Sequence, residues 1–226
     1  MFLLFIILII IAFLYKKYYE LQKFNINATV QQIQNPNSVV IKDKIKENNP
    51  LIIHNLANKY ELFQNLSFNN LNLKNQGYII NDNNKFISLE TFTKDNSNLH
   101  IHNNQKLIKD LNLENDLKDI FKYFKPKLSY DNYNLSLLKG NYSIELSQNN
   151  KNGLLIFQIY DKSTLYLIHP KHKEDILNKN NNSIKKWAHK INLEPNLIVY
   201  IPSQWYYFYE CEKSSIISTI DYYTII

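Results

Sequence analysis

Two histidines at alternate positions are the first residues in this sequence whose types and spacing suggest chemistry. His100 and His102 flank Ile101, so in an extended strand both imidazoles project from one face and form a usable pair of metal ligands. The pair lies in an Asn-rich segment, far upstream of the part of the chain that is rich in strand-like runs. The favoured interpretation is therefore an exposed pair on a strand or loop.

The remaining reactive residues do not assemble into a recognised catalytic pattern. His169 and His172 flank a proline and a lysine and are expected in a loop, whereas His54 and His189 lack a carboxylate or cysteine at ligand spacing. No Ser-His-Asp order or cysteine-nucleophile signature is visible, and 3 glycines leave little material for a phosphate-binding loop. The 1 cysteine, Cys211, excludes a disulfide within the chain and is expected to be a small buried residue.

Composition indicates a folded domain and argues against a nucleic-acid partner. The chain has 226 residues, 45% of them hydrophobic, which is enough for a substantial core. Its net charge is +6, and all 26 basic residues are lysines. These lysines are scattered rather than clustered, no nucleic-acid-binding motif accompanies them, and arginine forks for phosphate are absent. Nucleic acid is therefore not expected as a partner.

The amino terminus is predicted to be a membrane anchor. Residues 2–15 are an unbroken apolar run, and a helix extended through Tyr18 and Tyr19 would approach the thickness of the hydrocarbon layer. A cleaved signal peptide and a buried core helix are the alternatives. The lysines that follow the run indicate a single-pass protein with its domain on the cytosolic side. The predicted anchor, residues 1–22, uses Phe2, Leu3, Leu4, Ile6, Ile7, Leu8, Ile9, Ile10, Ile11, Phe13, Leu14, Lys16 and Lys17.

The rest of the chain divides into a linker and one domain. Residues 23–48 are polar and predict a juxtamembrane linker, and residues 49–226 predict the domain. Amphipathic spacing between residues 103 and 124 predicts one or two helices, and a helical insert is predicted over residues 171–190. Short strand-like runs recur at residues 135–138, 142–146, 154–159, 164–168, 197–201, 206–210 and 215–223.

Four segments, in order along the chain, resemble motifs of the JmjC and cupin-like (cupin-8) proteins. They are the strand "PLIIHN" at residues 50–55, "LLKGNYSIEL" at 137–146, "GLLIFQIYDKSTLYLIHP" at 153–170 and "PNLIVYIPSQWYY" at 195–207. In the last segment, Asn196 stands where the family has a turn glycine, and Asn tolerates a left-handed backbone. The resemblance implies a mainly β (α+β) fold: a double-stranded β-helix (cupin or jelly-roll) barrel with flanking N-terminal helices, here preceded by one transmembrane helix.

The resemblance also implies an iron site, which this sequence does not supply. The family holds Fe(II) with His-x-Asp on one strand and His on a later one, beside 2-oxoglutarate. The later histidine is replaced by Tyr207, and the first two positions fall on Gln148 and Asn150, or on Leu146 and Gln148, depending on the motif from which they are counted. Lys162 is one place from the expected 2-oxoglutarate lysine and is only a weak candidate for cofactor binding. Tyr207 belongs to the aromatic run of residues 205–209, whose favoured interpretation is filling of the core; the alternative is that Tyr207 projects into the former iron site and plugs it.

The sequence therefore predicts a membrane-anchored, catalytically inactive binding or structural module that uses no cofactor. The alternative is an active hydroxylase-type oxygenase that uses Fe(II) and 2-oxoglutarate with non-standard ligands. A third possibility is a structural membrane protein with an unrelated β fold. A protein partner would suit a module of this kind, and the sequence identifies no substrate.

Overall fold

The computed structural model describes residues 2–74, 77–82, 85–94 and 100–224. Its helices are α1 (Phe2–Gln22), α2 (Ser38–Lys46), α3 (Glu61–Asn65), α4 (Phe68–Lys74), α5 (Leu89–Lys94), α6 (Gln105–Asp110), α7 (Glu114–Phe121), α8 (Lys173–Ile176) and α9 (Asn181–Ile184). Its strands are β1 (Gln31–Gln34), β2 (Leu51–His54), β3 (Ile79–Asp82), β4 (Lys85–Ser88), β5 (His100–Asn104), β6 (Ser129–Leu138), β7 (Tyr142–Ser143), β8 (Ser147–Gln148), β9 (Gly153–Tyr160), β10 (Ser163–Ile168), β11 (Ala188–Leu193), β12 (Ile198–Pro202), β13 (Tyr206–Cys211) and β14 (Ser215–Thr224).

Helix α1 contains the residues of the predicted membrane anchor. Within the part of the chain that the structure describes, no helix is both long enough and apolar enough to cross a membrane. The apolar run of residues 2–15 rises only about 21 Å as a helix, against about 30 Å of hydrocarbon, and Lys16 follows it at once. The predicted anchor over residues 1–22, the membrane as a partner and the single-pass location with a cytosolic domain are therefore wrong.

The described apolar side chains of α1 do not pack into the domain. The side chains of Phe2, Leu3 and Lys17 lie outside the described residues. The other predicted anchor residues with apolar side chains are exposed: Leu4, Ile6, Ile7, Leu8, Ile9, Ile10, Ile11, Phe13 and Leu14.

The segment predicted as a linker contributes to the folded domain. Its strand β1 pairs in parallel with β2, from Gln31 opposite Leu51 to Gln34 opposite His54. Helix α2 begins after Asn37, whose side chain accepts a hydrogen bond from the backbone N–H of Val40 and so caps the helix. These polar residues form regular structure because one edge of the large sheet is available to them.

Two sheets form the centre of the domain. The seven-stranded sheet has the order β1-β2-β12-β9-β14-β6-β5, and the five-stranded sheet has the order β11-β10-β13-β7, with β8 also paired to β13. A separate hairpin joins β3 and β4. From β6 onward the chain passes repeatedly between the sheets: β6, β9, β12 and β14 lie in the large sheet, and β7, β8, β10, β11 and β13 lie in the small one. Residues distant in sequence therefore become neighbours between the two sheets.

Successive side chains of the large sheet pack into two separate hydrophobic cores, one on each face. In β9, Leu154 and Ile156 pack with residues of the small sheet, whereas Leu155, Phe157 and Ile159 pack with the helices between α2 and α7. Successive side chains of a strand point to opposite faces, so both faces of β9 are covered. This two-sided burial explains why β9 is a continuous apolar run in the sequence.

The fold class predicted from the sequence is wrong. Instead of a mainly β barrel behind a transmembrane helix, the described residues form a mixed α/β structure with several sheets, of seven, five and two strands. Much of the helical structure comes from residues 38–124, which include Asn-rich segments. Side-chain caps account for part of this difference: Asn104, for example, accepts a hydrogen bond from the backbone N–H of Leu107 at the start of α6.

The predicted left-handed turn before β12 is confirmed. Asn196 has φ of 72°, a conformation that Asn adopts more readily than most residues. Its backbone N–H donates to the carbonyl oxygen of Gln158, at 2.9 Å, and so joins the turn to β9.

Candidate functional site

A cavity of about 330 Å³ lies at one end of the space between the two sheets. The inner faces of β6, β13 and β14, the end of β5, and the connection from β8 to β9 line it. The strand order brings these elements together although they are far apart in the chain. The cavity is therefore a product of the tertiary fold rather than of any one motif.

One wall of the cavity is a polar stripe shared by β6 and β14. Asn134 is opposite Thr219 and Asn132 is opposite Asp221 in the register, and opposite residues share a face of the sheet. The Asn132 amide donates to Asp221 Oδ1 at 3.0 Å, and the Asn134 amide donates to Thr219 Oγ1 at 3.4 Å. On this face of β14 the residue type changes from Ile217, which belongs to the core, to Thr219 and Asp221.

Two tyrosines of β13 line the cavity. Tyr207 and Tyr209 are two residues apart, so their rings project from the same face of the strand. Burial, together with the nearby Asp221 carboxylate, raises the pKa of Tyr207 to about 12. Burial also raises the pKa of Tyr209, an increase that the Ser136 hydroxyl offsets in part. Both hydroxyls are therefore protonated at neutral pH and available as hydrogen-bond donors.

The hydroxyl of Tyr209 is buried beside the Ser136 hydroxyl, and no described residue makes a hydrogen bond of normal geometry to it. The residue is 1% exposed. The nearby Ser136 hydroxyl instead accepts a hydrogen bond from the backbone N–H of Asn103, at 3.0 Å. A buried hydroxyl without a partner is unfavourable. A molecule in the cavity that accepts a hydrogen bond from Tyr209 would remove this penalty.

Asn149 holds the connection between β8 and β9 in place. Its side chain is 3% exposed, and its amide donates to the carbonyl oxygens of Ile201, at 2.9 Å, and Pro202, at 3.0 Å. Its Oδ1 accepts from the backbone N–H of Lys151 at 3.0 Å. These bonds fix the connection to the end of β12, and so fix one side of the cavity.

The rim carries charges of both signs. Lys151 Nζ lies 4.3 Å from the centroid of the Tyr223 ring. A hydrogen bond with Tyr223 raises the pKa of Lys151, and the negative charge of Asp221 contributes to this increase. Lys151 and Asp221 both line the cavity, so its charged groups largely balance one another.

The structure brings Gln148, Asn150 and Tyr207 to the same cavity, as the resemblance implies. Their arrangement differs from that of a ligand set, because Gln148 is opposite Tyr206 and Ser147 is opposite Tyr207. Gln148 and Tyr207 therefore start from opposite faces of the strand pair. Asn150 is exposed. Tyr207 lines the cavity.

The amide of Gln148 has other partners. It donates to the backbone oxygen of Gln204 at 3.2 Å and to the side-chain oxygen of the same residue at 2.9 Å. Its role in the structure is to tie β8 to the turn before β13.

Lys162, the weak candidate for cofactor binding, lies away from this cavity. Its side chain is exposed and forms an ion pair with Glu194 at 2.9 Å. The adjacent Ser163 is buried and donates to Gln158 Oε1 at 2.7 Å. Gln158 in turn donates to Ser215 Oγ at 2.8 Å, so this position of the motif supports the turn between β9 and β10.

The side chains present do not fit the iron site that the resemblance implies. A facial triad needs two imidazoles and one carboxylate, whereas the cavity lining offers one imidazole, His102, and one carboxylate, Asp221. Within the described ranges, no group of three or more His, Cys, Asp or Glu is arranged to hold a metal ion. The protonated phenol of Tyr207 and the neutral amides of Gln148 and Asn150 are weak ligands for Fe(II).

Sequence reasoning missed the positions of His102 and Asp221. The interpretation of the histidine pair placed it far from the strand-rich domain, but β5 pairs with β6 at the edge of the large sheet. The His102 ring lies 6.1 Å from the Tyr209 ring, whereas His100 packs on Tyr142 at 4.2 Å. A signal for Asp221 was present: Thr219 and Asp221 are polar at alternate positions of an otherwise apolar strand.

Comparison with known proteins identifies no family for this chain. No protein-family model matches the sequence, and no curated protein matches it. The similarity to JmjC and cupin-like proteins therefore rests on the sequence motifs, and membership of that family stays a prediction.

Proposed function

We propose that this chain is a catalytically inactive binding module, related to the JmjC and cupin-like proteins, that binds a small molecule in the cavity between its two sheets. The main support for this proposal is the cavity. It is lined by amides, hydroxyls and phenols, which hold a ligand through hydrogen bonds, and its volume of about 330 Å³ suits a small ligand.

Two further observations support this function. Strands β6, β9, β12 and β14 lie in the large sheet and β7, β8, β10, β11 and β13 in the small one, so the chain returns repeatedly to both walls of the cavity. At the positions where the resemblance implies iron ligands, Tyr207 is a phenol whose pKa is raised to about 12, and Gln148 is bonded to Gln204. These side chains favour binding over iron chemistry.

The test is reconstitution of the full chain with Fe(II) under anaerobic conditions, followed by measurement of bound iron and of succinate formed from 2-oxoglutarate. We expect iron well below one equivalent and no succinate above the background without protein. Stoichiometric iron or steady succinate formation would refute the proposal.

A matched pair of variants separates the proposal from its rival, an oxygenase with non-standard ligands. His102 and Asp221 are the imidazole and the carboxylate of the cavity, so a rival iron site would depend on both. His102→Gln and Asp221→Asn should leave the residual iron content unchanged under our proposal. Loss of bound iron in both variants, with His172→Gln as a control outside the cavity, would favour the oxygenase.

A further inference from the structure

We infer that the ligand of this cavity is an uncharged, polyhydroxylated molecule of the size of a monosaccharide or cyclitol, held by the hydroxyls of Tyr207 and Tyr209 and by the carboxylate of Asp221. This inference rests on the proposed function, because it names the ligand class of the same cavity. It follows from the size of the cavity, its hydrogen-bonding groups and its balance of charge.

Size limits the ligand to a small molecule. The cavity of about 330 Å³ is near the lower end of the range of roughly 300–1,000 Å³ that is typical of small-molecule sites. One six-membered ring with its hydroxyl groups fits this space. A nucleotide or a peptide side chain with its backbone would extend beyond it.

Hydrogen-bond donors in the cavity call for acceptors on the ligand. The Tyr209 hydroxyl is buried among the described residues without a hydrogen bond, so it is the donor with the most to gain from a bound molecule. The Tyr207 hydroxyl projects from the same face of β13. A ligand oxygen placed against this face of β13 would accept hydrogen bonds from both phenols.

Hydrogen-bond acceptors in the cavity call for donors on the same ligand. One oxygen of Asp221 accepts from Asn132, and an ionised carboxylate has about four acceptor positions in total, so further capacity remains. Thr219 Oγ1 lies beside it on β14. A hydroxyl group donates and accepts at once, so a polyol matches both walls, whereas a ketone or ether would match only the phenols.

The charged groups of the cavity, Lys151 and Asp221, favour a ligand without a net charge. A dicarboxylate such as 2-oxoglutarate would approach Asp221, and an alkylammonium ion would approach Lys151. Lys151 Nζ also lies 4.3 Å from the centroid of the Tyr223 ring, so this aromatic ring at the rim already makes a cation–π contact within the chain. The Tyr207 and Tyr209 rings remain as apolar surfaces for the C–H groups of a sugar ring.

The experiment is a calorimetric and ligand-observed NMR titration of the full chain with myo-inositol, glucose, galactose, ribose and N-acetylglucosamine, with 2-oxoglutarate and tetramethylammonium as charged probes. We expect one of the polyols to bind with one-to-one stoichiometry and more tightly than either charged probe. Tyr209→Phe should weaken that binding by about 3–10-fold, the loss of one hydrogen bond. Asp221→Asn should weaken it by at least as much.

Tyr206→Phe is the matched control, because Tyr206 is on the same strand but opposite Gln148 on the other face and does not line the cavity. It should bind the polyol as the parent chain does. Thermal unfolding should show Tyr209→Phe at least as stable as the parent chain, since the substitution removes a buried hydroxyl that has no partner.

Three results would overturn the inference: no saturable polyol binding up to roughly 50 mM, binding that Tyr209→Phe and Asp221→Asn leave unchanged, or tighter binding of a charged probe. Binding of 2-oxoglutarate without succinate formation would refute the ligand class and leave the binding module standing. Succinate formation would refute the proposed function itself, so the two failures are distinguishable.

Discussion

Substitution of Asn149 tests how the cavity is held in shape. Its side chain makes three hydrogen bonds to backbone groups, donated to Ile201 and Pro202 and accepted from Lys151. Each such bond contributes about 0.5–1.5 kcal/mol net, so Asn149→Ala should lower the free energy of unfolding by ~2–4 kcal/mol. Asn149→Asp has nearly the same shape but turns the two donated bonds into contacts between oxygen atoms.

At neutral pH, Asn149→Asp should therefore lower the free energy of unfolding by at least as much as Asn149→Ala does. The pKa of the introduced carboxylate in the folded chain should be raised, because burial and two facing carbonyl oxygens favour the protonated form. The penalty relative to the parent chain is then full above that raised pKa and decreases as the pH falls through it. Alanine carries no such group, so the cost of Asn149→Ala should not follow this pH course.

Urea unfolding of the parent chain and the variants at several pH values gives these free energies. Asn150→Ala is the control, because Asn150 is the exposed neighbour, and a surface change of this kind stays within about 0.5 kcal/mol. A cost below about 1 kcal/mol for Asn149→Ala, or a neutral-pH stability of Asn149→Asp equal to that of the parent chain, would refute the structural role given to Asn149.

Two further predictions concern the small sheet and its surroundings. Burial lowers the pKa of His169, so as the pH falls the unfolded chain binds a proton at this histidine before the folded chain does. The free energy of unfolding should therefore decrease as the pH falls through about 6.5. His169→Gln should flatten this pH dependence in urea unfolding, and an unchanged slope would show that His169 is not its cause. Burial raises the pKa of Cys211 to about 11, so a thiol reagent at about pH 8 should label the native chain far more slowly than the denatured chain, whereas equal labelling rates would show that the thiol is accessible.

The strand positions were the most predictable part of the fold. Residues 154–159, 164–168 and 215–223 were predicted as strands and lie in β9, β10 and β14. The run in β9 is apolar because both of its faces are covered, so composition alone identifies it. The first half of the edge strand β11, residues 188–190, was instead placed inside a predicted helical insert, because His189 and Lys190 are exposed and break the apolar pattern.

The candidate site was less predictable, because its geometry depends on register. Counting along the chain placed the first two ligand positions either on Gln148 and Asn150 or on Leu146 and Gln148, whereas in the structure Ser147 is opposite Tyr207. The pairing of β13 shifts by one residue between β7 and β8: Glu210 is opposite Ser143, but Tyr207 is opposite Ser147. A shift of this kind moves side chains to the other face of a strand and leaves no signal in a single sequence.

The position of β14 in the large sheet has a consequence for how the chain folds during synthesis. This strand lies between β6 and β9, and its Thr219 contacts Asn134, a residue 85 positions earlier. Until β14 has left the ribosome, β6 and β9 each lack a neighbour, and the polar stripe of the cavity has only one of its two columns. Long-range pairing of this kind slows folding and leaves apolar strand edges open to association with other chains. The cavity is therefore completed only after β14 has been synthesised, and the interval before that point is when the nascent chain has most need of a chaperone.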